Sequence, residues 1–239
     1  MKTCAIVQSS YIPWKGYFDL INLVDEFVLF DCVQYTRRDW RSRNRIKTAK
    51  ESVWLTVPVQ SKGNFEAPID TILIDGTQWA EKHWQTISHN YAKAPFFKEF
   101  APIFQRCYEE AATKPRLSEV NALFLRQICN LLDIKTRITD SREYLISSGK
   151  TERLMDMCLQ VGANVYYSGP SAKGYMDEEL MQRNQVEVRW MTYDNYPVYP
   201  QVHPPFEHAV SIIDLFFNVG DKAASYLQTF DSKVHADEI

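Results

Sequence analysis

The sequence predicts an α/β protein with a doubly wound parallel sheet and an inserted helical region. Three observations predict it. Apolar runs of strand length alternate with helical stripes at both ends of the chain, over residues 3–30 and 136–192. The runs at 4–7 and 27–30 are almost continuously apolar, as in strands covered on both faces. Between the alternating ends, residues 77–132 carry helical patterns only.

Taken in order, residues 3–8 read as a buried first strand. Residues 9–15 form a loop in which Pro13 is expected to hold Ile12 extended. Gly16 opens a helix with Phe18, Ile21 and Val24 on its stripe, and 27–30 is the second strand of a βαβ unit. Residues 53–59 and 69–74 read as further strands, the second closed by Asp75 and Gly76. Thr77 and Ser118 are placed to cap helices, and Pro95 to end one. The rhythm then resumes with a strand at 136–141, a helix from Thr151 ending at Gly162, and a strand at 165–169. A helix at 175–181, a strand at 186–192 and an amphipathic helix at 211–219 follow. The expected organisation is an N-terminal half of the α/β unit over 1–76, a helical insertion over 77–132 and a C-terminal half with its tail helix over 133–228. Residues 229–239 are expected to fray.

The 239 residues are 45% hydrophobic, enough for a substantial core, and carry a net charge of −3. That balance argues against a general nucleic-acid binder. The five cysteines form no C-x-x-C pair, and no apolar run is long enough to span a bilayer. A soluble cytoplasmic protein is expected, its oligomeric state open. Neither common glycine-rich phosphate loop occurs, nor H-E-x-x-H or any other metal-ligand spacing.

The basic charge is instead local. Residues 34–47 hold six basic groups and one acid between two apolar runs. Five of the six are arginines, which suit bidentate recognition of phosphate or carboxylate. Such a segment could grip a phosphate-bearing small molecule or an acidic protein partner. In a parallel sheet, ligands bind beyond the carboxyl ends of the strands. Three loops should meet there, at 8–16, 31–47 and 168–174. The first offers Gln8, Tyr11, Trp14, Lys15 and Tyr17, a stacking wall with a phosphate-seeking lysine. The second offers Gln34, Tyr35, Arg37, Arg38, Trp40, Arg41, Arg43 and Asn44, with Arg41, Arg43 and Arg45 facing one side if extended. The third offers Ser168, Gly169, Ser171 and Lys173 ahead of a helix N-terminus. Asp31, Asp39 and His203 are the candidates for acid–base work, with His208 a second histidine in the same tail.

At residues 8–19 (QSSYIPWKGYFD), 31–47 (DCVQYTRRDWRSRNRIK), 167–173 (YSGPSAK) and 196–201 (YPVYPQ), the sequence resembles the WbqC-like family. The resemblance runs to about residue 220. It implies bacterial surface-polysaccharide or nucleotide-sugar metabolism, the family being named for a member in O-antigen gene clusters, and it supplies no catalytic residues. Residues 16–21 also resemble the G-H-x-x-L-I segment of nucleotidyltransferases and pantoate–β-alanine-type ligases, with Tyr17 in place of one histidine and Trp14 or Lys15 in place of the other. This implies a Rossmann-like, nucleotidyltransferase-like sheet. The expected activity is acyl or aminoacyl transfer to an aminosugar. An ATP-dependent nucleotidyltransferase or adenylate-forming amide ligase, and a non-catalytic assembly factor, are the alternatives. The cofactor stays open between ATP or a nucleotide-sugar with Mg²⁺ and acyl-CoA, and no metal ligand is assigned.

Overall fold

The computed structural model describes residues 1–63 and 66–230. In chain order the elements are β1 (Thr3–Val7), α1 (Lys15–Leu23), β2 (Glu26–Leu29), β3 (Arg43–Lys47) and β4 (Ser52–Thr56). Then come α2 (Gln78–Tyr91), α3 (Phe97–Ala111), α4 (Leu117–Leu131), β5 (Arg137–Asp140) and α5 (Lys150–Val161). The chain finishes with β6 (Val165–Ser168), α6 (Glu178–Arg183), β7 (Glu187–Trp190) and α7 (Ile212–Val219).

Five strands form one parallel sheet in the order β5-β2-β1-β6-β7. The chain builds outward from β1 to β2 and β5, then returns to the other side of β1 for β6 and β7. The direction reverses between β1 and β6, which is the switch point of a doubly wound sheet. The alternation of side chains along each strand fills both faces. Ala5, Phe27 and Leu29 join the larger core with Phe18 and Ile21 of α1. Cys4, Ile6, Val28 and Tyr166 face Leu154, Met157 and Cys158 of α5 and Met181 of α6. Helices therefore cover both sides, which is why the strands read as apolar throughout. The helix α5 stops where it should: Gly162 adopts φ +76°, a left-handed cap that a side chain would strain.

The helices α2, α3 and α4 sit between β2 and β5 in sequence, as the periodicity predicts. Phe100 and Phe104 of α3 pack their rings on Phe216 and Phe217 of α7. The helix α7 is buried over its whole length, so it is a core helix rather than the amphipathic surface helix expected. Its Asp214 accepts hydrogen bonds from the hydroxyls of Tyr91 and Tyr199 at 2.7 and 2.8 Å.

Several local expectations fail for identifiable reasons. The strand read at 53–59 forms over Ser52–Thr56, but not in the main sheet. The structure pairs β4 with β3 in an antiparallel hairpin outside the main sheet. Its inner face, Asn44, Ile46 and Leu55, is buried, while Trp54 and Thr56 point outward. The last five residues of the arginine segment, with three of its six basic groups, are thus strand rather than loop. Residues 69–74 form a single 3-10 turn (Ile69–Thr71) with isolated bridges either side, because their apolar run is anchored against α4 rather than along a strand. Ser118 lies inside α4, and neither Thr77 nor Arg116 at the N-caps of α2 and α4 makes a side-chain cap bond. Thr151 lies within α5, behind Gly149 as the N-cap. Residues 170–174 form a 3-10 turn, and α6 begins only at Glu178 after Asp177 caps it, so the third loop does not open a helix. Ile12 is not extended but lies at φ +37°.

Candidate functional site

A cleft of about 770 Å³ opens over the carboxyl ends of β1, β2 and β6. The loop after β1 supplies Gln8, Ser10 and Trp14 to its wall, and the first turn of α1 supplies Tyr17. The arginine segment supplies Trp40, Arg41 and Asn44, and the loop after β6 supplies Ser168 through Ala172. The three loops do meet, at the switch point where open sheets bind their ligands.

The strained loop after β1 is held by its neighbours. A β-branched residue at positive φ is a genuine outlier and persists only where the surroundings over-determine it. Asn44 Nδ2 donates to the carbonyls of Tyr11 and Ile12 at 3.1 and 2.9 Å, and Tyr11 N–H donates to Trp40 O at 2.9 Å. From behind, Asn121 of α4 donates to Ser9 Oγ and to Arg41 O, both at 2.9 Å. Gly16 has a steric reason: a Cβ there would lie 2.3 Å from the Trp14 ring, which folds back over the first turn of α1. Trp14 in turn packs edge-on to Tyr193, with centroids 5.4 Å apart.

Charge in the cleft is one-sided. Arg41, Lys150 and Arg153 line it, and no Asp or Glu among the described residues does. Arg41 donates from Nη1 to Gln8 Oε1, while its Nε is buried without a hydrogen-bond partner. An unpaired buried donor costs roughly 1–3 kcal/mol, which an anion could recover. His208 also lines the cleft. Burial, and then the nearby Lys15 charge, push its pKa below the ordinary value, so the ring is neutral near pH 7. Its Nδ1 is buried without a partner.

The other expected residues lie elsewhere. Asp31 sits under the cleft floor, 1% exposed, accepting from Ser9 N–H at 2.8 Å. Burial raises its pKa to about 6. Tyr11 is not a stacking surface: it is fully buried, its hydroxyl bonded to Tyr108 Oη at 2.8 Å and His83 Nδ1 at 2.9 Å. Lys15 points away, donating to Pro197 O at 2.8 Å with its ammonium 5.1 Å from the Tyr196 and Tyr199 ring centroids; burial lowers its pKa to about 8. Tyr35 is buried against Ser42, 2.7 Å between hydroxyls. Gln34 and Arg38 are exposed, and Arg37 reaches Ser61 O at 2.7 Å. Asp39 accepts from Trp40 N–H, and Arg43 lies over the Trp54 ring. Lys173 lies over Trp190, 5.5 Å from its centroid. His203 bonds the carbonyl of Asn90 at 2.8 Å, at the end of α2 and outside the cleft.

Lys150, Arg153, Tyr175 and Tyr193 were not singled out from sequence. One signal was available for the first two. Lys150 and Arg153 are two cations in the first turn of a helix, where they oppose its dipole; Glu152 in the same turn offsets part of that charge, and Arg153 donates to the carbonyls of Gly149 and Ser148 at 2.8 and 2.6 Å.

Among the described residues, no group of three His, Cys, Asp or Glu side chains could hold a metal ion, and no helix is long and apolar enough to cross a membrane. No solved structure matches the chain. An uncharacterized protein of Mycobacterium tuberculosis, Rv1507c, is 51% identical over 229 residues, covering 95% of this chain and 98% of its own. The WbqC-like protein family matches residues 8–226, a span that takes in every strand of the sheet except β1, which ends one residue before it, and every wall of the cleft except Ile6 and Val7. The chain belongs to the WbqC-like family.

Proposed function

We propose that the protein is an enzyme of bacterial surface-polysaccharide biosynthesis that binds a nucleotide-linked aminosugar in this cleft and transfers an acyl or aminoacyl group to its amine. The observation that carries the reading is an acid-free cleft with three cations and an aromatic wall at the sheet's switch point. Diphosphate would be held by Arg41, by Lys150 and by the Nη1 of Arg153, whose Nε and Nη2 are bonded to the carbonyls of Gly149 and Ser148, and a ring would lie against Trp14 and Tyr193. His208, neutral and facing the cleft, is the group suited to take the proton from the attacking amine. Any Mg²⁺ would arrive with the nucleotide's phosphates. The protein would act in the cytoplasm, where nucleotide-sugars are made.

The strand order also fits a nucleotidyltransferase-like Rossmann fold, which would make the protein an ATP-dependent transferase or adenylate-forming ligase. Of Trp14 and Lys15, either of which could stand in place of a phosphate-contacting histidine of those enzymes, Trp14 has no charge for a phosphate and Lys15 points at Pro197 O, which favours the first reading. Thermal melts with ATP, UDP-sugars, dTDP-sugars and acyl-CoA, with and without Mg²⁺, separate the two. A ligand at a hundred times its dissociation constant adds about 2.7 kcal/mol. A shift with nucleotide-linked aminosugars, and thiol release from acyl-CoA only in their presence, is expected. Pyrophosphate release from ATP would favour the ligase, binding without turnover would favour an assembly factor, and no shift with any nucleotide would refute both enzyme readings.

A further inference from the structure

The two exposed tryptophans of the chain stand together at the mouth of the cleft. Trp40 is 41% exposed and Trp54 43%, with ring centroids 5.3 Å apart and planes inclined at 43°. The other four tryptophans are buried or half-buried. Trp40 lines the cleft and Trp54 does not, so the pair carries an aromatic surface from the cleft onto the outer face of the β3–β4 hairpin. Leaving two adjacent indoles in water forgoes the burial that normally keeps tryptophan inside.

The surroundings define what could cover them. Arg43 and Arg45 project from β3 on the same face, with guanidinium carbons 4.0 and 5.5 Å from the Trp54 centroid. Thr56, opposite Arg43, and Ser52 complete the face. An apolar peptide would find polar neighbours on each side of the indoles. A nucleic acid would find too little positive charge, since Arg45 is paired with Glu207 at 2.9 Å and Arg41 is bonded to Gln8. Arg43 differs in having neither an ion pair nor a side-chain hydrogen bond to the described residues; its Nε, like those of Arg41 and Arg45, is buried without a partner, and its guanidinium lies over the Trp54 ring. Flat indoles with one available cation suit a pyranose, whose C–H face packs on aromatic rings while its hydroxyls stay wet.

We propose that Trp40, Trp54 and Arg43 form a saccharide platform that takes a carboxylate-bearing glycan, one end of which reaches the cleft at Trp40. The platform lies beyond the nucleotide-linked sugar of the preceding section. It rests on that reading only for the direction in which the glycan runs.

Titration of the full chain with trigalacturonate, followed by tryptophan fluorescence and calorimetry, tests this, with maltotriose and a decathymidylate as comparison ligands. Trigalacturonate is expected to bind, and maltotriose more weakly. Trp54→Ala and Arg43→Gln are each expected to weaken trigalacturonate at least about tenfold. Trp54→Phe, which keeps a ring and guards against a misfolded hairpin, is expected to retain part of the affinity. Trp54→Ala is expected to bind UDP as the wild type does. No trigalacturonate binding, unchanged binding in Trp54→Ala, or decathymidylate binding that Trp54→Ala removes would each overturn the proposal. Saccharide binding without UDP binding would support the platform and refute the nucleotide reading of the cleft.

Discussion

Replacing Arg41 by alanine tests the cleft most directly. In the free protein, one edge of the guanidinium is committed to Gln8, and Nε is buried without a partner. The main-chain carbonyl of Arg41, held by Asn121, is untouched by the substitution. Folding loses one hydrogen bond worth about 1 kcal/mol and sheds an unsatisfied donor of similar cost, so stability should change by less than about 1 kcal/mol. Binding loses a charge-assisted contact worth about 1.5–3 kcal/mol, which is a ten- to hundredfold weaker affinity. Calorimetric titration with UDP measures the second quantity, and urea denaturation the first. Arg41→Lys should recover only part of the affinity, because lysine keeps the charge but not the planar pair of donors. UDP affinity unchanged in a folded Arg41→Ala protein would refute the assignment.

Burial holds the His83 pKa at about 4, so the ring folds neutral. A lowered histidine pKa contributes stability that is present above about pH 6.5 and lost as pH falls through 4; between pH 7.5 and 5 the loss is about 2 kcal/mol. His83→Gln should flatten that slope in urea melts, and an unchanged slope would show that the ring is not desolvated. Asp31 works in the opposite sense. Its raised pKa, about 6, means stability present below about pH 3.9 and lost as pH rises through 6. Asp31→Asn, which can still accept from Ser9, should therefore stabilise the protein at pH 7.5 by about 2–3 kcal/mol; destabilisation would show that the carboxylate is stabilised where it sits. Asp19, fully buried in α1, accepts from the backbone N–H groups of Gln228 and Thr229 and from the Thr229 hydroxyl. Asp19→Ala strands these donors and should cost about 3–5 kcal/mol, read as a lower urea midpoint.

The sheet was legible because both faces of its strands are covered, so β1, β2 and β6 appear as apolar runs. The three loops followed from the topology, since a doubly wound sheet places them at one edge. The failures have a common cause. The run at 53–59 has the right residues for a strand, but strand pairing is a long-range choice, and β4 pairs with β3 across a tight turn. Tyr11 and Lys15 sit in the right loop, yet the reversal at Ile12 turns Tyr11 inward to Tyr108. Nothing in the order of residues announces a positive φ at a β-branched position before proline. The contribution of α5 was missed because its cations come from the opposite face of the sheet.

The pairing of β1 with β6 sets Thr3 beside Val165, and the cleft lies over that seam. Among the described residues, no cleft-lining residue falls between Asn44 and Lys150. During synthesis the ribosome therefore delivers one wall early and must add the whole helical insertion before the other wall exists. A nascent chain that has emerged only through α4 has a first strand without its inner neighbour and a cleft that lacks the wall supplied by α5 and the loop after β6. Ligand affinity would then appear only once residues 150–209 have docked against the first strand and the arginine segment.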